Sequence, residues 1–308
     1  MGIVKSLVRY CTDPDYRFLF NIKRGLYANM PDEEYLKRRF HASRGYDMDF
    51  DNPQTFSEKL QWLKLHDHNP VYTTLVDKIE VKQYIKEAIG ESYLIPTLGV
   101  WNSAEDIGFE KLPSQFVLKC THDSGRVFIC RDKATFNKEM AKDVLEKSLQ
   151  HNFYWWTREW PYKAVKPRII AEKLIYEKDR PSSDLVDYKF YCFNGIVEYC
   201  QVIKDRTTAE TIDFFDRNWV HQDFCGLNPN ACPSDKPISK PVCLEHMIEV
   251  AEKLSHNIPF VRIDLYEIDS CVKFGEITFY PMSGFGCFTP TEYDRILGDK
   301  IQLSAMND

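Results

Sequence analysis

Charged side chains suited to binding a nucleoside triphosphate recur along this sequence. Lys78 lies at the start of a helix-like pattern, and Lys119 ends an apolar run that precedes a turn of small residues. Two later apolar runs contain Arg262 and Asp264 in the first and Glu276 in the second. Ammonium groups can neutralise phosphate oxygens, and carboxylates on adjacent strands can hold Mg²⁺ between phosphates. The sequence therefore predicts triphosphate chemistry without a Walker loop, because neither G-x-x-x-x-G-K-[ST] nor G-x-G-x-x-G occurs.

Each of these residues also has an ordinary structural explanation. Lys119 on its own could be a solvated residue at a strand end, and Lys189 could pair with Glu198 across a hairpin. Asp264 and Glu276 could be salt-bridge partners. Acidic residues in apolar strands are costly to bury without a cation, however, which favours a metal or ligand role for both.

The elements that must position the first lysine are helical. Residues 1–90 show helical patterns, including a capping box in which Thr55 and Glu58 satisfy each other's backbone N–H groups. A further helix is predicted to begin at Asp77, whose carboxylate can cap the first turn. Lys78 would then lie in that first turn.

Short strands replace the helices after residue 96. Residues 115–120 and 127–130 are predicted to form a hairpin around the turn His122–Gly125. Small residues in this turn would let backbone N–H groups approach phosphate closely.

A second hairpin is predicted over residues 188–203. Asn194-Gly195 stands between two alternating runs, and a type I′ turn there needs positive φ at both central residues. With that turn, Lys189 faces Cys200 and shares one side of the hairpin with Glu198.

The side on which Glu276 lies depends on the loop between the last two predicted strands, 261–266 and 273–279. A loop with an odd number of residues pairs Arg262 with Glu276 and puts Asp264 on the same face. A two-residue loop would put Glu276 on the opposite face from Asp264. The sequence leaves both alternatives open.

Several motifs, taken in this order, resemble the ATP-grasp superfamily. They are Asp77-Lys78, Phe116-Val-Leu-Lys119-Cys-Thr-His-Asp-Ser-Gly125, Ala171-Glu172-Lys-Leu-Ile175, Asp187-Tyr-Lys189-Phe-Tyr-Cys-Phe-Asn-Gly195 and Val261-Arg262-Ile-Asp264, followed by Phe274-Gly-Glu276-Ile-Thr-Phe-Tyr-Pro281. With Phe56-Ser-Glu-Lys-Leu-Gln-Trp62-Leu-Lys, the set is similar to the teichuronopeptide-biosynthesis (TupA-like) branch over roughly residues 50–295.

The resemblance implies an α+β ATP-grasp fold, in which two α+β subdomains clasp ATP, preceded here by a helical N-terminal region. Residues 1–95 would be that helical region, 96–173 the lid subdomain, and 174–308 the C-terminal subdomain with the metal site. Residues 207–240 contain three prolines and are expected to be an irregular insertion.

The resemblance also implies a role for each motif residue, with ATP and Mg²⁺ as cofactors. The residues expected to bind the nucleotide are Lys78, Lys119, His122, Ser124, Gly125, Glu172, Lys173, Ile175 and Asp187. Arg262 and Lys189 would stabilise the transferred phosphoryl group. Asp264, Glu276 and Thr278 would be the metal ligands, with Thr278 standing where the superfamily usually has asparagine.

The activity implied is that of a carboxylate–amine ligase, in which ATP phosphorylates a carboxylate and an amine displaces the phosphate to form an amide. The substrates implied are a uronic-acid carboxylate of a cell-surface polysaccharide, or its precursor, and an amino acid or other amine. Peripheral association with the polysaccharide machinery would follow. A saccharide phosphotransferase would use the same ATP site. A glycosyltransferase would need Asp-x-Asp at a strand end, whereas Asp13-Pro-Asp15 and Asp47-Met-Asp49 lie in the helical region.

Charge and cysteine content argue against several other classes. With 40 Lys and Arg against 46 Asp and Glu, the net charge of −6 does not favour nucleic acid as a partner. No segment approaches the ~18 apolar residues of a membrane span, and no signal peptide is recognisable, so a cytoplasmic location is expected. Ten cysteines without a C-x-x-C pair are interpreted as reduced, buried thiols, such as Cys120, Cys130 and Cys192.

Overall fold

The computed structural model describes residues 2–22, 24–124, 127–178, 184–227 and 232–303. Its helices are α1 (Gly2–Thr12), α2 (Pro14–Ile22), α3 (Asp32–Arg44), α4 (Phe56–His66), α5 (Val71–Val76), α6 (Glu80–Ala88), α7 (Lys138–Leu149), α8 (Tyr154–Thr157), α9 (Leu244–Leu254) and α10 (Tyr293–Asp299). Its strands are β1 (Thr97–Trp101), β2 (Phe116–Cys120), β3 (Val127–Cys130), β4 (Ile169–Lys173), β5 (Asp187–Phe193), β6 (Ile196–Lys204), β7 (Thr211–Asp216), β8 (Cys225–Gly226), β9 (Phe260–Ile268), β10 (Cys271–Thr278) and β11 (Phe288–Thr289). None of these helices combines the length and apolar character needed to cross a membrane.

The helical N-terminal region is confirmed, and α4 begins at the predicted capping box. The Glu58 N–H donates to Thr55 Oγ1 at 3.2 Å, and the Thr55 N–H donates to Glu58 Oε2 at 2.9 Å. The buried ring of Phe56, next along α4, packs edge-to-face on Phe260 of β9 with centroids 4.8 Å apart. The helix thereby ties the N-terminal region to the C-terminal sheet.

The helix expected from Asp77 begins later, at Glu80, so the placement of Lys78 in its first turn is wrong. Asp77 has extended backbone after α5, yet its Oδ1 still accepts from the Ile79 N–H at 2.8 Å. Lys78 therefore lies in the connection between the two helices, and its own N–H donates to the carbonyl oxygen of Thr121 at 3.4 Å.

The described residues after α6 form three antiparallel sheets, the smallest of which is the pair β8-β11. Of the other two, the smaller has the order β1-β4-β2-β3, and its buried side chains Phe116, Leu118 and Ile169 cluster with Leu145 of α7. The larger has the order β10-β9-β5-β6-β7, and α9 packs on it through buried residues that include Met247. The mixed α+β class with antiparallel sheets matches the expectation.

Part of the segment expected to be irregular is a strand. Residues 207–240 include β7, which pairs with β6 at the edge of the larger sheet. Ile212 and Phe214 are buried there, so packing on the sheet stabilises this strand, although the prolines that follow it suggested irregular structure.

The cysteines divide into buried and exposed sets, and none forms a disulfide. Cys120, Cys130 and Cys192 are buried thiols, as expected. The expectation is wrong for others, because Cys11 and Cys271 are among those exposed to solvent.

A bulge between β5 and β6 changes the predicted partner of Lys189. Phe193 and Ile196 pair beside the turn as the Asn-Gly signal indicates, but Glu198 is skipped in the ladder and Lys189 lies opposite Gln201. Glu198 instead accepts from Lys300 Nζ at 2.6 Å. The alternative in which Lys189 pairs with Glu198 is therefore wrong.

A second bulge, at Gly275, determines the face on which Glu276 lies. The turn between β9 and β10 consists of two residues, Asp269 and Ser270, which both have positive φ. The bulge at Gly275 then shifts the register by one, so Glu276 pairs with Asp264. Neither alternative from the sequence is fully right, since the loop has two residues and yet the two carboxylates share a face.

Candidate active site

A cleft between α6, the smaller sheet and β10 collects four of the predicted site residues. Lys78, Lys119, Glu172 and Glu276 line it together with apolar side chains such as Ile95. A concave site where several charged groups converge beside apolar walls suits a charged small molecule.

A buried carboxylate with two lysines lies at one end of the cleft. Glu172 Oε2 is 2.6 Å from Lys119 Nζ, and Glu172 Oε1 is 2.5 Å from Lys82 Nζ. Burial opposes ionisation of Glu172, but the two ammonium groups outweigh it and lower the pKa of the carboxyl group. Glu172 is therefore held as a carboxylate between two cations.

Lys78 joins the cleft to the turn expected to cover the phosphates. Its Nζ donates to the carbonyl oxygen of Asp123, in the turn between β2 and β3. Burial lowers the pKa of Lys78, and the charge of Glu276 opposes that shift. The ammonium group thus lies between the turn and the carboxylate of β10.

A network of opposite charges lies on the larger sheet beside the cleft. Arg262 donates to Asp264 Oδ1 at 2.6 Å and to Oδ2 at 2.8 Å, and Lys189 Nζ donates to the same carboxylate. The Arg262 guanidinium also reaches Glu276 Oε1 at 3.2 Å and Thr278 Oγ1 at 3.1 Å. The five predicted catalytic and metal-binding residues, Lys189, Arg262, Asp264, Glu276 and Thr278, are therefore brought together.

The two carboxyl groups of this network differ in environment. Burial raises the pKa of Asp264 despite its two cationic neighbours. Glu276 is more open, with 45% of its side chain exposed. Burial opposes its ionisation, but four nearby cations lower its pKa to about 2. In order of effect they are Lys189, Arg262, Lys78 and Lys119. Glu276 is consequently ionised at neutral pH and faces the cleft.

The oxygen donors of Asp264, Glu276 and Thr278 fit Mg²⁺ in chemical type but are too few to enclose it. Among the described residues no group of three or more His, Cys, Asp and Glu side chains could hold a metal ion. Mg²⁺ is commonly bound by one or two carboxylates together with substrate phosphates. The donor set therefore suits a metal that arrives with a nucleotide.

The remaining predicted residues lie around the cleft in different settings. His122 is buried, and its Nε2 contacts the carbonyl oxygens of Ser148 and His151 at 3.1 and 3.0 Å, while its Nδ1 is buried without a partner. In this conformation neither ring nitrogen is available to phosphate, so His122 anchors the turn to α7. Ser124 is exposed, and Gly125 lies outside the described residues.

The predicted adenine and ribose residues lie on or beside two strands. The backbone N–H of Lys173 donates to the Pro96 carbonyl oxygen at 3.0 Å, and Ile175 follows β4 with a half-buried side chain. Asp187, at the start of β5, accepts from Arg206 Nε at 2.7 Å. The adenine and ribose roles of these residues stay predictions.

Sequence reasoning missed two residues that line the cleft, Lys82 and Tyr162. In the helix predicted from Asp77, Lys82 follows Lys78 by four residues, or about one turn. This spacing was the signal available in the sequence. Burial raises the pKa of Tyr162, and the nearby charges of Glu159 and Glu276 act in the same direction. The phenol stands in an aromatic stretch that resembles ordinary core.

Lys82→Met is expected to weaken ATP binding by about tenfold, because a charge-assisted hydrogen bond contributes roughly 1.5–3 kcal/mol. If Lys119 is to contact phosphate, it must leave Glu172, and Lys82 is the cation that remains with the buried carboxylate. Without Lys82, Lys119 stays paired with Glu172. Titration calorimetry with ATP measures the change, and Lys86→Met on the next turn, where Lys86 pairs with exposed Glu91, is the control.

A double-variant comparison separates this coupling from simple loss of positive charge. In the Glu172→Gln background, position 172 no longer competes for Lys119, so Lys82→Met should have little further effect. An equal loss of affinity in both backgrounds would contradict the coupling.

After β10, a turn with left-handed backbone conformation is held by a buried lysine of α4. Met282 and Ser283 both have positive φ. Lys64 Nζ donates to the carbonyl oxygens of Ser283 at 2.8 Å and Thr157 at 3.0 Å, while the Ser283 hydroxyl donates to buried Glu159. The helical N-terminal region thus supports the segment that follows Thr278.

Burial raises the pKa of Glu159, and the nearby charge of Lys64 opposes that shift. Lys64→Met is therefore expected to lower the free energy of unfolding by about 3 kcal/mol, since it removes this compensation of the buried carboxyl group. Chemical denaturation measures this change. Lys59→Met is the control on the same helix, because the half-buried Lys59 also donates to two carbonyl groups, at 2.8 and 2.9 Å. Equal small losses for both variants would show that Lys64 has no special role.

Comparisons with known proteins cover most of the chain, and the family match leaves out its N-terminal residues. A family model for TupA-like ATP-grasp proteins matches residues 58–302. D-alanine–D-alanine ligase from Bacillus anthracis is similar at 16% identity and a TM-score of 0.42, over 73% of this chain and 65% of that one. Phosphoribosylamine–glycine ligase from Thermotoga maritima is similar at 11% identity and a TM-score of 0.39, over 68% of this chain and 48% of that one. The chain thus spans less than two thirds of these structures, and TM-scores this low assign no residue roles. No curated protein gave a significant match.

Proposed function

The chain belongs to the TupA-like ATP-grasp family, and from that premise we propose that it is an ATP-dependent ligase that joins a carboxylate to an amine. The observation that supports this proposal is the cleft in which Lys78 and Lys119 lie near Glu276 and the charge network of the larger sheet. Cations on two different elements and a carboxylate on a third can thus act on the same triphosphate.

In the proposed reaction, a carboxylate oxygen of the substrate attacks the γ-phosphorus of ATP and ADP leaves. The amine nitrogen then attacks the acyl carbon, phosphate leaves with the bonding electrons, and the nitrogen loses a proton. Lys78 and Lys119 would hold the phosphates, while Arg262 and Lys189 would stabilise charge on the transferred phosphoryl group. Glu172, with the backbone of residues 173–175, would bind adenine.

Mg²⁺ would be held by Asp264, Glu276 and Thr278 and would supply charge neutralisation between the phosphates. The turn after β2 would shield the acylphosphate from water, with His122 holding it to α7. We further propose, from the family, that the carboxylate is a uronic acid of a cell-surface polysaccharide and that the amine is an amino acid.

The proposal is tested by measuring phosphate release from ATP in the presence of each combination of a uronic acid and an amino acid. The ligase should release phosphate only when both co-substrates are present, and mass spectrometry should find the amide. Added hydroxylamine would trap the acylphosphate as a hydroxamate. Stable phosphate on the saccharide, with no amine requirement, would indicate a phosphotransferase instead.

A further inference from the structure

The N-terminal helix pair presents apolar side chains to solvent. Leu7 and Val8 of α1 are 60% and 56% exposed, and Phe20 of α2 is 39% exposed. Ser6 and Tyr16 join the two helices through a hydroxyl–hydroxyl hydrogen bond of 2.8 Å. The pair is thus a packed unit that exposes apolar side chains on both helices.

Aromatic rings and cations accompany these apolar side chains. The Phe20 ring lies 5.3 Å from that of Tyr10, and the Arg24 guanidinium lies 4.5 Å above the Phe20 ring. Arg9 lies 4.6 Å above the ring of Tyr16, and Lys5 is exposed on the same helix as Arg9. The N-terminal helices thus carry exposed aliphatic groups, aromatic rings and arginines, which suit the acyl boundary, the headgroup level and the phosphates of a bilayer respectively.

The distribution of charge selects an anionic surface. Residues 1–44, which include the pair and end with α3, contain nine Lys and Arg and five Asp and Glu, a net charge of +4, although the whole chain carries −6. An anionic bilayer would attract this region and repel the rest of the molecule, which fixes the orientation of docking. A second copy of the chain would bring one positive surface against another.

We propose that the helix pair α1–α2 docks on the surface of an anionic lipid bilayer, with Leu7 and Val8 at the acyl boundary. No described helix can cross a membrane, so the contact is interfacial. The region matched by the family model begins at residue 58, so this surface lies outside the shared catalytic part. Docking would bring the cleft to acceptors held at a membrane.

Co-sedimentation of the full chain with lipid vesicles tests the proposal. The wild-type chain should bind vesicles of phosphatidylglycerol and phosphatidylcholine, should not bind pure phosphatidylcholine, and should dissociate at high salt. The double variant Leu7→Glu, Val8→Glu should bind at least about tenfold more weakly, because it places two carboxylates at the acyl boundary. Val242→Glu, at a site that is 78% exposed elsewhere, should bind like the wild type.

Several outcomes would overturn the proposal. These are failure of the wild type to bind phosphatidylglycerol vesicles, equal loss of binding in the Val242→Glu variant, or a dimer that the double variant dissolves without any vesicle binding. Circular dichroism confirms that the variants are folded. Nucleotide takes no part in this experiment, so its result is independent of the proposed ligase activity.

Discussion

The Glu276→Gln variant is expected to turn over ATP about 100- to 1,000-fold more slowly than the wild-type chain while keeping its fold. Glutamine has nearly the same shape as glutamate and can still accept from Arg262 and Thr278 through its carbonyl oxygen. It lacks the negative charge that Mg²⁺ requires. Because the pKa of Glu276 is lowered to about 2, the wild-type side chain carries that charge at neutral pH.

The Mg²⁺ dependence of nucleotide binding measures this effect without knowledge of the acceptor substrate. Calorimetry should show that the wild type binds ATP more tightly with Mg²⁺ than with a chelator, and that Glu276→Gln shows little difference. The control is Glu198→Gln on the same sheet, where the carboxylate pairs with Lys300. Wild-type Mg²⁺ dependence in Glu276→Gln would show that Glu276 is not a metal ligand.

The second large effect is expected from Gly275→Ala, which should reduce ATP turnover by roughly 100-fold and lower the free energy of unfolding by about 1–3 kcal/mol. A methyl group on Gly275 would lie 2.9 Å from the carbonyl oxygen of Asp264 and 3.1 Å from the ring of Tyr266. The first of these atoms belongs to the paired strand and cannot move without moving that strand. Relief of the clash by loss of the bulge would turn Glu276 to the opposite face of the sheet.

Gly108→Ala is the matched control for this variant. A methyl group there would meet only flexible side chains, those of Glu110 at 3.1 Å and Lys111 at 3.7 Å. Both variants would be compared for ATP turnover, Mg²⁺-dependent nucleotide binding and urea unfolding. If Gly275→Ala behaves like Gly108→Ala, then the bulge tolerates a side chain and does not control the position of Glu276.

Local patterns predicted much of the fold because they depend on interactions between residues that are close in the chain. The capping box of Thr55 and Glu58 and the turn at Asn194-Gly195 both form as predicted, since each is stabilised within four residues. The order of the motifs likewise indicated the ATP-grasp family before any contact was known, and the family match confirms it.

The sequence by itself determined which charged residues lie on which strands, but tertiary structure decided their partners and faces. Glu276 reaches the face of Asp264 because a bulge at Gly275 shifts the register that the two-residue turn sets. A glycine within a strand is a signal for a bulge, but the pairing that results depends on the partner strand. Glu172 is shared by Lys119 and Lys82, which come from a strand and a helix distant in sequence. Register and ion-pair choice depend on side chains that meet only after the sheets and helices have packed, whereas helices and turns are favoured by neighbours along the chain.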